Sequence, residues 1–220
     1  MPKFPFDFEG ACKKAQVDPE RTRLMATRVD ALLAPAMKAE RFYEDMLDKM
    51  ENVGKYSFNN LHILHGFLFE KVKPGLDIEL REMSMLFLLD YLVIVESLFT
   101  DVLDLLCFAL VVEHHGLADF YSRKYVRKLP ELEEIALADK LRFLSLHGWE
   151  DASQAVDRGL RNAIAHGNYT IDEDGLVHIQ GQTLGEDDFN KKYEAVRTFV
   201  YEFWVGMNKF FGENYNVGFG

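Results

Sequence analysis

Phe189, Tyr193, Val196, Val200, Phe203, Met207 and Phe210 recur at alternating steps of four and three residues. That is the spacing of a helix with one stripe to be buried along its whole length. Phe199, Trp204 and Phe211 widen the stripe. A helix of this kind needs partners from end to end, which predicts a bundle and leaves apolar area for a subunit interface as well.

The remainder of the chain supplies such partners. Asp18-Pro19-Glu20 reads as an N-cap with proline at the first helical position, opening a helix to about Leu33. Pro35 kinks or restarts it, and a second helix runs to about Glu51, closed by Gly54. Ser57 is placed to cap a third helix carrying Phe58, Leu61, Leu64, Leu68 and Val72, which Pro74-Gly75 ends. Residues 76–115 hold no glycine or proline and read as one long helix or two nearly collinear ones. Pro130 opens another helix, with Leu132, Ile135, Leu141 and Leu144 inward, and Gly148 ends it. Asp174-Gly175 between residues 169–172 and 176–180 predicts a two-stranded hairpin. Thr183-x-x-Glu186 then reads as a capping box for the final helix, which Gly212 should stop.

The expected fold is therefore all-α, an antiparallel helical bundle with one small β-hairpin. Residues 1–17 show no sustained period and read as an extended arm, 18–212 as a single domain, and 213–220 as a frayed tail. The 18 Phe and 9 Tyr favour a thick, aromatic-rich core. Met83 to Val112 is apolar enough to raise the question of a membrane span. Asp90, Glu96, Asp101 and Asp104 within it argue against one, because charge in a bilayer core is costly. Cys12 and Cys107 fit no metal-ligand spacing, and the N-terminus lacks a secretory pattern, so a reducing, cytoplasmic home is expected. His62 and His65 are near neighbours on a helix, but without a carboxylate or thiol at ligand spacing they are read as structural. No metal or cofactor is expected.

The chemistry concentrates in Leu160-Arg161-Asn162-Ala163-Ile164-Ala165-His166-Gly167-Asn168-Tyr169. Apolar and small residues at 152, 155, 156, 160, 163 and 164 follow helical spacing, and Gly167 is the expected terminator. Asn162 and His166 share a face, and Arg161 has the reach to join them. A histidine near pH 7 is the natural acid and base, and a guanidinium is a fork for phosphate. The plainer reading pairs Arg161 with Asp157 one turn back and leaves His166 to cap carbonyls. Arg142 and His147 repeat the same spacing, with bulky residues between and no polar residue after the arginine. The second site is favoured because Ala163 and Ala165 would admit another backbone.

Arg161-Asn162-x-x-Ala165-His166-Gly167, closing a helix and followed by a hairpin and a long final helix, resembles the signature of the HEPN superfamily. The resemblance covers roughly 130–212 through the motif and 19–129 as helical pattern. It implies a metal-independent endoribonuclease acting on single-stranded RNA, often the toxin or abortive-infection half of a pair. The partners it implies are RNA, a second copy of the chain, and an antitoxin such as a minimal nucleotidyltransferase. His166 would be the acid or base, Arg161 the phosphate clamp, and Asn162 an orienting group, with two protomers completing the site. The resemblance equally admits an inactive interaction or nucleotide-binding module acting as a dimeric adaptor.

Two features bear on substrate. A net charge of −11 opposes broad nucleic-acid binding, so RNA needs a local basic patch. Arg123, Lys124, Arg127 and Lys128, interleaved with Tyr121 and Tyr125, form the one concentrated basic segment, and Tyr169 beside the motif is a further candidate for substrate contact. The polar stripe Asp90, Ser97 and Asp104 is either a solvated face or the source of a carboxylate that orients Arg161 or His166. Asp90, Glu96, Asp101 and Asp104 remain equal candidates for that role.

Overall fold

The computed structural model of the chain describes residues 6–38, 40–66, 78–113, 126, 128–215 and 217. It is all-α with a small antiparallel sheet. Helices α1 (Phe8–Ala15), α2 (Pro19–Ala36), α3 (Glu40–Asn52) and α4 (Asn59–His65) come first. They are followed by α5 (Leu80–Ile94), α6 (Thr100–Glu113), α7 (Leu137–Leu146), α8 (Glu150–Ala155), α9 (Arg158–Ala165) and α10 (Glu186–Tyr215). Among the described residues no helix is long and apolar enough to cross a membrane.

The stripe on α10 is buried as its period requires. Phe189, Val196, Phe199, Val200, Phe203, Trp204, Met207, Phe210 and Phe211 all join the main core. α2 crosses α10 so closely that a Cβ on Gly206 would lie 3.1 Å from the Ala26 Cα. Ion pairs flank that crossing, Arg21 to Glu202 at 3.3 Å and Lys209 to Asp30 at 3.0 Å. The aromatic face is thus consumed inside the chain, and the expectation that it would supply a subunit interface is corrected.

The expected extended arm is also corrected. Asp7 caps α1, whose Cys12, with Phe6, Phe8, Ala11 and Ala15, packs with Val17 on Val205 and Tyr201 of α10. Eight residues are too short to show a period, and docking supplies what propensity does not. Gly54 does not close α3 and Ser57 does not cap. A π-helical stretch, Val53–Phe58, carries the helix on into α4, and the Ser57 hydroxyl donates to Asp101 at 2.8 Å. Pro35 sits in the last turn of α2, and α10 runs past Gly212 to Tyr215.

The long central helix is continuous from Leu80 to Glu113, with a second π stretch at Val95–Phe99. Pro130 opens a 3-10 turn, Leu129–Leu132, and α7 starts only at Leu137. The sheet has three strands rather than two, β1 (Thr170–Ile171), β2 (Val177–Ile179) and β3 (Gln182–Leu184), in that order. Thr183 pairs with His178 in the β2–β3 ladder and so does not cap α10. Asp188 serves that helix end, accepting the Gly185 N–H at 3.2 Å.

Candidate functional site

The apolar spacing over 152–164 suggests one helix, but the chain breaks it at Val156, which is extended (φ −113°, ψ 130°). Asp157 then caps α9, its Oδ1 accepting the Leu160 N–H at 2.9 Å and its other oxygen taking Lys192. Burial pushes the Asp157 carboxyl upward, but the Lys192 hydrogen bond and the Leu160 amide outweigh it and hold the group below the usual carboxylate range. Tyr91 of α5 fixes the break from behind. Its phenol oxygen accepts the Asp157 N–H at 3.0 Å and donates to the Asp157 carbonyl at 3.4 Å. Burial raises the Tyr91 hydroxyl pKa, so it stays a neutral donor.

At the other end α9 closes in a Schellman motif. Gly167 takes φ +65°, the Asn168 N–H donates to the Ala163 carbonyl at 2.8 Å, and the Gly167 N–H donates to Ile164 at 3.1 Å. The His166 backbone N–H donates to the Asn162 carbonyl at 3.1 Å. Backbone groups therefore satisfy these carbonyls, and the imidazole is not needed as a cap. It is exposed and makes no hydrogen bond among the described residues.

The alternative partner for Arg161 also fails, since Asp157 is engaged by Lys192. Arg161 instead gives its Nε–H to Glu96 and an Nη1–H to Asn162 Oδ1 at 3.0 Å. The Glu96 hydrogen bond raises the already high pKa of the guanidinium. Two of its five N–H donors are used, and the others remain for a ligand. Asn162 thus orients the arginine, and no hydrogen bond joins either residue to the His166 ring.

Glu96 is the carboxylate of the four that serves the motif. Asp101 pairs with Lys49 at 2.7 Å, and Asp104 with Lys140 at 2.5 Å. Asp90 lines a small cavity with Phe87, Tyr91, Phe189, Asn190 and Tyr193. Asp90 and Asp104 are each 2% exposed, which overturns the solvated reading of the stripe. Burial pushes the Asp104 carboxyl up, against the pull of Lys140.

Other sequence candidates fall in different places. Tyr169 packs on the core edge and shares an open cleft with Glu79, Arg81, Glu82 and Met85, apart from Arg161. Arg123, Lys124 and Arg127 lie outside the described residues, while Lys128 is exposed before the 3-10 turn. Ala163 is 1% exposed and belongs to the core, so of the two alanines only Ala165 can admit another backbone. Of the competing pair, Arg142 is exposed on α7, and His147 packs its ring on Phe143 at 4.5 Å. Next to it Arg28 grips Asp151 and the Gly148 carbonyl and stacks on Trp149. His62 is exposed on α4, and the His65 side chain lies outside the described residues.

Two contributors escaped sequence reasoning. Tyr91 and Lys192 hold Asp157 from distant helices, which no local pattern shows. A comparison of the chain with family models, with curated proteins and with solved structures found no match.

Proposed function

We propose that the chain is a metal-independent endoribonuclease of HEPN type that cleaves single-stranded RNA as a homodimer. The observation that carries this reading is the state of the motif. Arg161 is oriented by Glu96 and Asn162, and the His166 imidazole is exposed with its helix end already capped by backbone. The His166 ring has no structural employment among the described residues that would account for it, and the contacts of Arg161 leave donors of its guanidinium open.

RNA supplies its own nucleophile. The 2′-OH attacks the adjacent phosphorus while His166 accepts its proton. The bond from phosphorus to the 5′ oxygen breaks, and the imidazolium of the second protomer's motif protonates that leaving oxygen. The products are a 2′,3′-cyclic phosphate and a 5′-hydroxyl, and Arg161 neutralises charge on the phosphoryl oxygens between. One motif offers one histidine, so two proton transfers call for two motifs. The exposed Ala165 and the exposed Met85 and Leu89 of α5, near the Tyr169 end of the motif, give the second copy an apolar footing.

The test is RNA incubated in chelator with wild type, Arg161→Ala and His166→Ala, with end-group analysis and sedimentation across a dilution series. The expected result is cleavage with cyclic or 3′-phosphate ends, lost in both variants, and a specific activity that falls as dimers dissociate. Cleavage by His166→Ala at the wild-type rate, or loss in chelator, ends the assignment. A second reading, a nonenzymatic dimeric adaptor, draws on the net charge of −11 and on the neutralisation of Arg161 by Glu96. It predicts a stable dimer without cleavage.

A further inference from the structure

Beside the motif, along the N-terminal part of α9, that helix and the start of α7 line an open cleft of about 440 Å³. Ala136, Leu137 and Ala138 form one wall, and Arg158, Gly159, Arg161 and Asn162 the other. Among the described residues that line it none is acidic, in a protein that carries eleven excess negative charges, and the nearby carboxylates of Glu96 and Asp157 are bound to Arg161 and Lys192.

The two arginines differ in their commitments. Arg161 is tied to Glu96 and Asn162. Arg158 is exposed and makes no ion pair or hydrogen bond among the described residues through its side chain. Three residues apart on α9, they stand about 5–6 Å from each other at Cβ, close enough for one strand of phosphates to reach both. Gly159 places no side chain between them, a Cβ there meeting Asp157 Oδ1 at 3.3 Å, and the Asn162 amide adds a neutral donor to the lining.

We infer that this cleft is a phosphodiester subsite, in which Arg158 holds the backbone phosphate next to the one engaged by Arg161. The identity of the anion as RNA rests on the nuclease reading above. Two cationic guanidinium forks side by side suit two consecutive backbone phosphates. The size of the cleft is that of a small-ligand site rather than a crevice for water. Arg158 lies a helical turn farther from His166 than Arg161 does, so it binds substrate without touching the reacting atoms. Its contribution therefore appears in KM and not in kcat.

The experiment uses a fluorescent, uncleavable 2′-O-methyl oligoribonucleotide followed by anisotropy across a salt series, with wild type, Arg158→Ala and Arg23→Ala. Arg23, paired with Glu9 on the α1–α2 face, controls for net charge. Arg158→Ala is expected to weaken binding several-fold and to reduce the slope of log affinity against log salt by about 0.7, one single-strand phosphate contact. Arg23→Ala should change neither. An Arg158→Ala protein that binds as tightly as wild type or Arg23→Ala, or a wild type that does not bind the probe, overturns the subsite. The two proposals fail separately. Cleavage that needs His166 with no effect of Arg158 leaves the nuclease standing and removes the subsite. Salt-dependent binding that needs Arg158, without any cleavage, keeps the subsite and removes the nuclease.

Discussion

Glu96 grips Arg161 across 65 residues of sequence, taking the Nε–H of the guanidinium while Asn162 takes an Nη1–H. The arginine is thereby aimed without being fully occupied. Glu96→Ala should loosen that aim and lower kcat on the order of tenfold, while tightening RNA binding because a carboxylate leaves the approach to the phosphate. Steady-state kinetics separate the two effects. A parallel loss of kcat and affinity would mean that Glu96 contacts substrate through some other role.

His166→Ala should cost about 10²–10⁴ in kcat, the usual worth of a general acid or base. His147→Ala should keep the chemistry and lose some stability, since its ring packs on Phe143 beside the Arg28 corner. Thermal melting read next to the cleavage rate tells these apart. Activity lost with His147 and retained without His166 would transfer the site to α7.

Asp157 combines a cap and an ion pair, and two substitutions divide them. Asp157→Asn keeps the cap and loses the Lys192 charge, for about 0.5–1 kcal/mol. Asp157→Ala loses both and costs about 1 kcal/mol more. The carboxyl is held low in the folded protein, so its stabilisation is full above the ordinary carboxylate range. It drains away as pH falls through the depressed value. Denaturant midpoints for wild type and Asp157→Asn should therefore converge in acid and diverge near neutrality.

Glu202 behaves with the opposite sign. It is 3% exposed beneath Arg21, and burial raises its carboxyl above the ordinary value. The fold favours the protonated form, so wild type loses stability as pH rises through the carboxylate range and the raised value above it. Glu202→Gln should match wild type at low pH and exceed it by on the order of 1 kcal/mol near neutrality. A glutamine variant less stable than wild type at neutral pH would show that the Arg21 pair outweighs the burial.

How far the sequence could be read depended on the range of the forces involved. The α10 stripe was legible because one period repeats from Phe189 to Phe210, and Gly167 because a single positive φ closes a helix. The break before α9 was not legible: Val156 and Leu160 stay in helical phase across it, and the cause is Tyr91, 66 residues away. The third strand follows a turn carried by a single glycine, a weaker signal than Asp174-Gly175. Gln180 and Gly181 both take positive φ, a two-residue turn between Ile179 and Gln182. Of four acidic candidates on one helix, only tertiary placement could select Glu96.

The wide turn at Val95–Phe99 gives that selection a mechanical origin. A π turn holds one residue more than an α turn, and each residue carries about 100° of azimuth. The turn therefore dials the upstream half of the helix, where Tyr91 clamps Asp157, against the downstream half, where Asp104 meets Lys140. Glu96 sits on the dial itself. A chain one residue shorter at this point could spin a perfectly regular helix, and its two ends would then disagree: with the buried ion pair kept, the motif would lose its clamp, and with the clamp kept, the ion pair would be pointed into hydrocarbon.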